Sequence, residues 1–128
     1  TDQAGSSEYF LGSTVAYQNE IKVSMLDVEA AVLESKGAVS REVCESMARS
    51  ARNRFSATYG ISVTGIAGPG GGSEQKPVGL VYIGLAGPAA ESCYVEKKVF
   101  SGGRDLVRAQ AATRALDLLR RSLEGSPL

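Results

Sequence analysis

The sequence predicts an α/β domain, a three-layer α/β/α sandwich in which helices cover both faces of a mixed β-sheet. Three observations carry that expectation. Val78 to Ala86 is an apolar strand with an alternating partner, Ser92 to Phe100, across a Gly87-Pro88 turn. Arg104 to Leu123 is a long amphipathic helix with Leu106, Val107, Ala111, Leu116 and Leu119 near one face. The element order is strand, helices, three strands, helix, which suits a sheet between helical layers.

The elements follow in order. Residues 10–18, Phe-Leu-Gly-Ser-Thr-Val-Ala-Tyr-Gln, are rich in β-formers and predict a first strand. Leu11, Ser13, Val15 and Tyr17 would share one of its faces. Asn19 is a good N-cap for a short helix running through Lys22 to Leu26. Asp27 can cap a further helical turn, Val28 to Lys36, which stops at Gly37. Ser40 opens a longer helix, with Glu42 favourably placed in its first turn. Val43, Met47, Ala48, Ala51 and Phe55 recur there at helical spacing, so one face is buried. Gly60 to Gly65 reads as a buried strand. A glycine-rich stretch through Ser73 follows it. Gly102-Gly103 ends the last strand, and the tail from Gly125 to Leu128 is expected to fray. No internal repeat and no linker interrupts the 128 residues, about the size of one domain.

Composition narrows the function. Hydrophobic residues make up 43% of the chain, enough for one core. Basic and acidic residues number 14 each, so no net charge draws nucleic acid or an anionic membrane. No apolar run approaches the ~18 residues of a membrane span. No signal peptide is legible at the start. Cys44 and Cys93 are far apart and match no metal spacing. They read as free thiols in a reducing compartment, which predicts a cytoplasmic protein. The chain has no histidine. That excludes Ser-His-Asp and Cys-His catalysis within it and removes the commonest zinc ligand. A hydrolase built on this chain needs Lys, Tyr, Asp or Glu as its base.

Three constellations can carry chemistry. Ser7 follows Gly5-Ser6, where backbone N–H groups at a helical turn could hold an oxyanion; a plain N-cap serine fits the same residues. Tyr17 ends the first strand and Lys22 follows five residues later; a sheet-edge tyrosine and a solvated lysine fit equally well. Taken with Ser7, the two form a candidate Ser-Tyr-Lys relay. Serine needs a base to take its proton. A lysine with its ordinary pKa of about 10.4 is neutral at pH 7 in roughly one molecule in a few thousand, a cost of about 4–5 kcal/mol. Such a relay therefore requires Lys22 to be enclosed. The five-residue spacing across a strand–helix junction does not match the Tyr-Lys pair of short-chain dehydrogenases, and no Gly-x-Gly-x-x-Gly follows a first strand. The glycine run, with Gly68, Gly70 and Gly71, lets backbone approach a ligand or simply connects two strands. It lacks the Gly-Lys-Ser/Thr of a Walker A loop. Arg104, at the start of the last helix, can bind a carboxylate or phosphate, or pair with Asp105.

Several segments together resemble one family. They are Gly5-Ser6-Ser7, Val15 to Lys22, Gly37 to Ser40, Val63 to Gly71, Lys76-Pro77-Val78-Gly79 and Ser101 to Asp105. In order and spacing they are similar to the CinA C-terminal domain family, and the resemblance covers nearly the whole chain. That family includes bacterial nicotinamide mononucleotide deamidases, which hydrolyse the carboxamide to the acid and ammonia in pyridine-nucleotide salvage. The resemblance implies Ser7 as nucleophile, Tyr17 and Lys22 as its catalytic partners, and Thr64 and Gly65 as pocket-lining positions. It implies Arg104 as a contact for the nucleotide, through its phosphate. It implies no metal, no cofactor and a homodimer or larger assembly. Family members start with an earlier strand and helix carrying an Ala-Glu-Ser-Cys-Thr-Gly-Gly-like motif, and this sequence starts after it. Part of the sheet and of the pocket is therefore expected to lie outside residues 1–128. The alternative is a non-catalytic nucleotide-binding or assembly module of a competence/damage-inducible protein.

Overall fold

The computed structural model describes the whole chain, Thr1–Leu128. Four α-helices and three strands form it: α1 (Asn19–Leu26), α2 (Ala30–Lys36), α3 (Arg41–Arg54), β1 (Gly60–Gly65), β2 (Leu80–Ala86), β3 (Cys93–Val99) and α4 (Arg104–Leu123). A one-turn 3₁₀ helix, Ser6–Glu8, lies near the start. No helix is long and apolar enough to cross a membrane.

The strands are ordered β1-β2-β3 and every pairing is antiparallel. In register, Val63 faces Ile83, and Ile83 faces Glu96. Because side chains alternate across a strand, Val81, Ile83 and Leu85 all point to one face. There they meet Val107, Ala111, Ala115 and Leu118 of α4 in a single cluster. The opposite face carries Ser62, Thr64 and Gly84 and receives α3. The Cys44 carbonyl accepts from Ser62 Oγ at 2.6 Å, and Ala48 is wholly buried there. A second cluster of Leu26, Val28, Leu33, Val43 and Met47 joins α1 and α2 to the outer side of α3. Three layers result, α/β/α, as expected.

The local chemistry explains the boundaries. Ser40 caps α3 by accepting from Val43 N at 3.4 Å. Arg52 and Arg49 of α3 donate to the carbonyls of Gly87 and Ala90 at 2.6 and 2.7 Å, tying the helix to the β2–β3 turn. At Gly79, just before β2, φ is +91° and an added Cβ would lie 2.0 Å from the Phe100 carbonyl oxygen. That close approach delays the strand to Leu80 rather than Val78.

Three expectations are corrected. The sheet is not mixed, because residues 10–18 form no ladder and only the three antiparallel strands pair. Exposure nonetheless alternates along the segment, with Leu11, Ser13, Val15 and Tyr17 exposed and Gly12, Thr14 and Ala16 half-buried. Asn19 is the first helical residue of α1; its N-cap is Gln18, with no side-chain bond. Asp27 caps no helix start. It ends α1 in the left-handed conformation, φ 53°, and its carboxylate takes Ser50 Oγ at 2.8 Å and Arg54 Nη2 at 2.6 Å. The side chain is thus spent on α3.

Candidate active site

The stretch before α1 and the helix itself bury one unusual group. Lys22 and Leu26 are four residues apart, so they share the inward face of α1. Lys22 is 6% exposed. Its Nζ donates to the carbonyl oxygens of Ala16 at 2.8 Å and Tyr17 at 3.3 Å. No ion pair engages it. A neutral amine has two N–H donors and one lone pair. In that form the two carbonyls would occupy the donors and leave the lone pair free. Burial pushes the Lys22 pKa below its ordinary 10.5, and nearby Glu20 only partly opposes this. The enclosure that a lysine base demands is present.

Ser7 and Tyr17 stand differently. Ser7 sits in the one-turn helix after Gly5, which adopts φ 82°, and its side chain is exposed. Tyr17 is 81% exposed. Neither hydroxyl is hydrogen-bonded to Lys22. Tyr17 reaches the lysine through its main-chain carbonyl rather than its phenol. Lys22 is therefore enclosed, while Ser7 and the Tyr17 side chain lie open to solvent.

A second group of residues gathers where β1 ends. Thr64 is buried on the α3 face and donates from Oγ1 to the Ala38 carbonyl at 2.8 Å, holding the α2–α3 turn against the sheet. Gly65, its neighbour, faces α4 instead. The two expected pocket residues thus serve opposite faces of one strand end. The glycine-rich loop leaves β1 there and returns at β2, closed at its base by Gly79 N to Ile66 O at 2.7 Å. Gly68 has φ +82°, and its peptide to Pro69 is cis. A Cβ at Gly68 would also lie 2.6 Å from Val78 Cγ1, so glycine is required. The Gly68 carbonyl accepts from Arg104 Nη1 at 3.0 Å, pinning the loop to the first residue of α4. Gly70 and Gly71 lie on the exposed outer part of the loop. Gly65 and Arg104 line a cleft of about 420 Å³ together with Val63, Ala67, Val81 and Arg108.

Arg108 was not expected from the sequence, although its place four residues after Arg104 puts both on one helix face. Lys76 was not expected either. Its Nζ donates to the Lys36 carbonyl at 2.6 Å and ties the glycine loop to the end of α2. No cluster of His, Cys, Asp and Glu could hold a metal ion. Cys44 and Cys93 are free. Burial pushes the Cys44 thiol up to about 12, beside Ser62, so it is a core group rather than a nucleophile.

Comparison with known proteins agrees with this architecture. The CinA C-terminal domain model matches residues 1–123. A CinA-like protein of Cyanothece sp. is 53% identical over 119 residues, covering 93% of this chain and 28% of that protein. A CinA-like protein of Synechocystis sp. is 45% identical over 127 residues, 98% of this chain and 30% of the relative. The chain thus spans under a third of the length of these relatives. Among solved structures, the competence damage-inducible protein A of Klebsiella pneumoniae superposes with a TM-score of 0.90 at 28% identity, covering 96% of this chain and 75% of that one. A competence/damage inducible protein of Agrobacterium tumefaciens gives 0.77 at 38% identity, covering 80% and 62%. On sequence and on fold alike, the chain belongs to the CinA C-terminal domain family.

Proposed function

We propose that this domain is a serine amidohydrolase that converts nicotinamide mononucleotide to nicotinate mononucleotide and ammonia. The observation that carries the proposal is Lys22: a buried, ion-pair-free amine with lowered pKa, in a chain with no histidine. A lowered pKa favours the neutral amine that a lysine general base needs. In the proposed reaction Ser7 Oγ attacks the carboxamide carbon while its proton passes to Lys22 Nζ, with the Tyr17 hydroxyl as the bridge. The tetrahedral intermediate then breaks its C–N bond, and the departing nitrogen takes the proton back from Lys22 to leave as ammonia. Water attacks the acyl-serine ester and releases the acid. The reaction requires the exposed Ser7 turn and the Tyr17 phenol to close over Lys22 when substrate binds. Gly65 and Arg104, which line one cleft, and Gly68, whose carbonyl orients Arg104, would hold the ribose phosphate beside the exposed Gly70 and Gly71. Thr64 would fix the turn behind them.

Ammonia release from nicotinamide mononucleotide tests this. It should vanish in Ser7→Ala. Turnover unchanged by that substitution would sink the mechanism.

A second reading, a non-catalytic nucleotide-binding or assembly module, is favoured by two observations. Ser7 and Tyr17 are unengaged, and the apolar side chains of Tyr9, Phe10, Leu11, Val15 and Tyr17 form an exposed stretch. Nucleotide binding without turnover would support it. Both readings expect at least a dimer, which light scattering in solution measures directly.

A further inference from the structure

Arg104 is not the sole cation of its cleft. Arg108 lines the same wall one helical turn further along α4. The cleft's other lining residues are small or apolar, with Val63, Val81, Val107 and Ala111 among them, and no carboxylate lines it. Val63 is 41% exposed within a strand whose neighbours are covered, so the floor offers apolar surface to a ligand. The two guanidinium groups are held very differently. Arg104 is oriented by the Gly68 carbonyl, which uses one of its five N–H donors. Arg108 has a single ionic partner, Asp105, at 3.6 Å, and both side chains of that pair are largely exposed. Exposed pairs of this kind contribute little, so Arg108 can exchange Asp105 for a better acceptor.

We infer that Arg108 joins Arg104 in gripping a phosphomonoester, so that the cleft reads a dianionic phosphate on a flat, partly apolar body. The inference rests on the nucleotide reading above and adds a residue to it. A phosphate dianion offers three acceptor oxygens, enough for forked contacts from two guanidinium groups at once. One arginine meets half of that charge; two meet it fully. Arg108 would thereby set the preference for the nucleotide over its dephosphorylated riboside.

The test is binding, measured by calorimetry on the folded chain. The probes are nicotinamide mononucleotide, nicotinamide riboside and adenosine monophosphate. Arg108→Gln should raise the dissociation constant of nicotinamide mononucleotide about tenfold, the scale of one lost charge-assisted contact at a partly exposed site. It should leave the riboside unaffected. Arg108→Lys should recover part of the loss, because charge returns but the fork does not. A thermal melt matching wild type excludes unfolding as the cause. An unchanged dissociation constant for both phosphates would overturn the inference. So would equal weakening of phosphate and riboside, or no binding of either phosphate by wild type. Ammonia release is read separately. If Arg108→Gln weakens adenosine monophosphate while wild type releases no ammonia, the phosphate site stands and the amidohydrolase reading falls.

Discussion

Replacing Lys22 by methionine separates the lysine's chemistry from its packing. Methionine keeps a linear apolar stem of similar length, so no cavity opens. Two hydrogen bonds disappear, to the carbonyls of Ala16 and Tyr17. Each such bond contributes about 0.5–1.5 kcal/mol net, so their loss costs about 1–3 kcal/mol. Against that, the variant no longer has to bury an ammonium group. The net change in stability at pH 7 is therefore expected to stay within about 2 kcal/mol of wild type. The pH dependence is more telling. Lys22 has its folded pKa below the ordinary 10.5. Between those two values the unfolded chain holds the extra proton, so wild-type stability rises with pH across that window. Lys22→Met lacks that contribution, and wild type should gain on it as pH climbs toward 10.5. Urea unfolding at a series of alkaline pH values measures the difference. Turnover should fall by about 10²–10⁴, the usual contribution of a general base. A folded Lys22→Met variant within about threefold of wild-type turnover would refute the base assignment. A stability difference flat with pH would refute the burial argument behind it.

Two further outcomes follow from the packing. Glu96 of β3 accepts from Arg114 of α4 at 2.8 and 2.9 Å, and its side chain is only 11% exposed. The forked Arg114 bonds hold its carboxyl below the ordinary 4.5; Glu96→Gln should cost about 2 kcal/mol at neutral pH. That deficit should shrink as pH falls through the acid range, where wild type protonates Glu96, and urea midpoints against pH would show it. Gly79→Ala should destabilise by about 2–4 kcal/mol, because alanine is strained at φ +91° and its Cβ would collide with the Phe100 carbonyl. Chemical denaturation measures this, and a loss below about 0.5 kcal/mol would show that the β3–α4 junction yields freely.

How far the sequence carries depends on whether a feature is local. The Ser40 cap, the buried face of α3 and the span of α4 are local, and each was legible because a side chain answers its own backbone or a 3.6-residue period. Residues 10–18 mark the limit. Their β-formers predict a strand that does not form, although Leu11, Ser13, Val15 and Tyr17 do share an exposed side, alternating with half-buried Gly12, Thr14 and Ala16. Pairing is another matter, since a ladder needs a partner that propensity cannot supply. Asp27 makes the same point. Its suitability for a helix terminus is local, but the choice of terminus is settled by Ser50 and Arg54, over 20 residues away.

The candidate site divides along the same line. Spacing brought Lys22 near Tyr17 in sequence, and its amine bonds locally, to the carbonyls of Ala16 and Tyr17; the packing of α1 on α3 through Leu26 is the part no five-residue interval encodes. Thr64 and Gly65 are consecutive, and strand alternation alone dictates that they face opposite layers. One therefore holds the α2–α3 turn on the Lys22 side of the sheet, while the other opens onto the Arg104 cleft. The end of β1 is thus the common boundary between the lysine layer and the arginine layer. A ligand that uses both must reach around that strand end, with its anionic part toward α4 and its reacting part toward α1. The glycine-rich loop leaves β1 at that boundary, and its two anchors come from the two sides: Arg104 of α4 at Gly68, and Lys36 of α2 through Lys76.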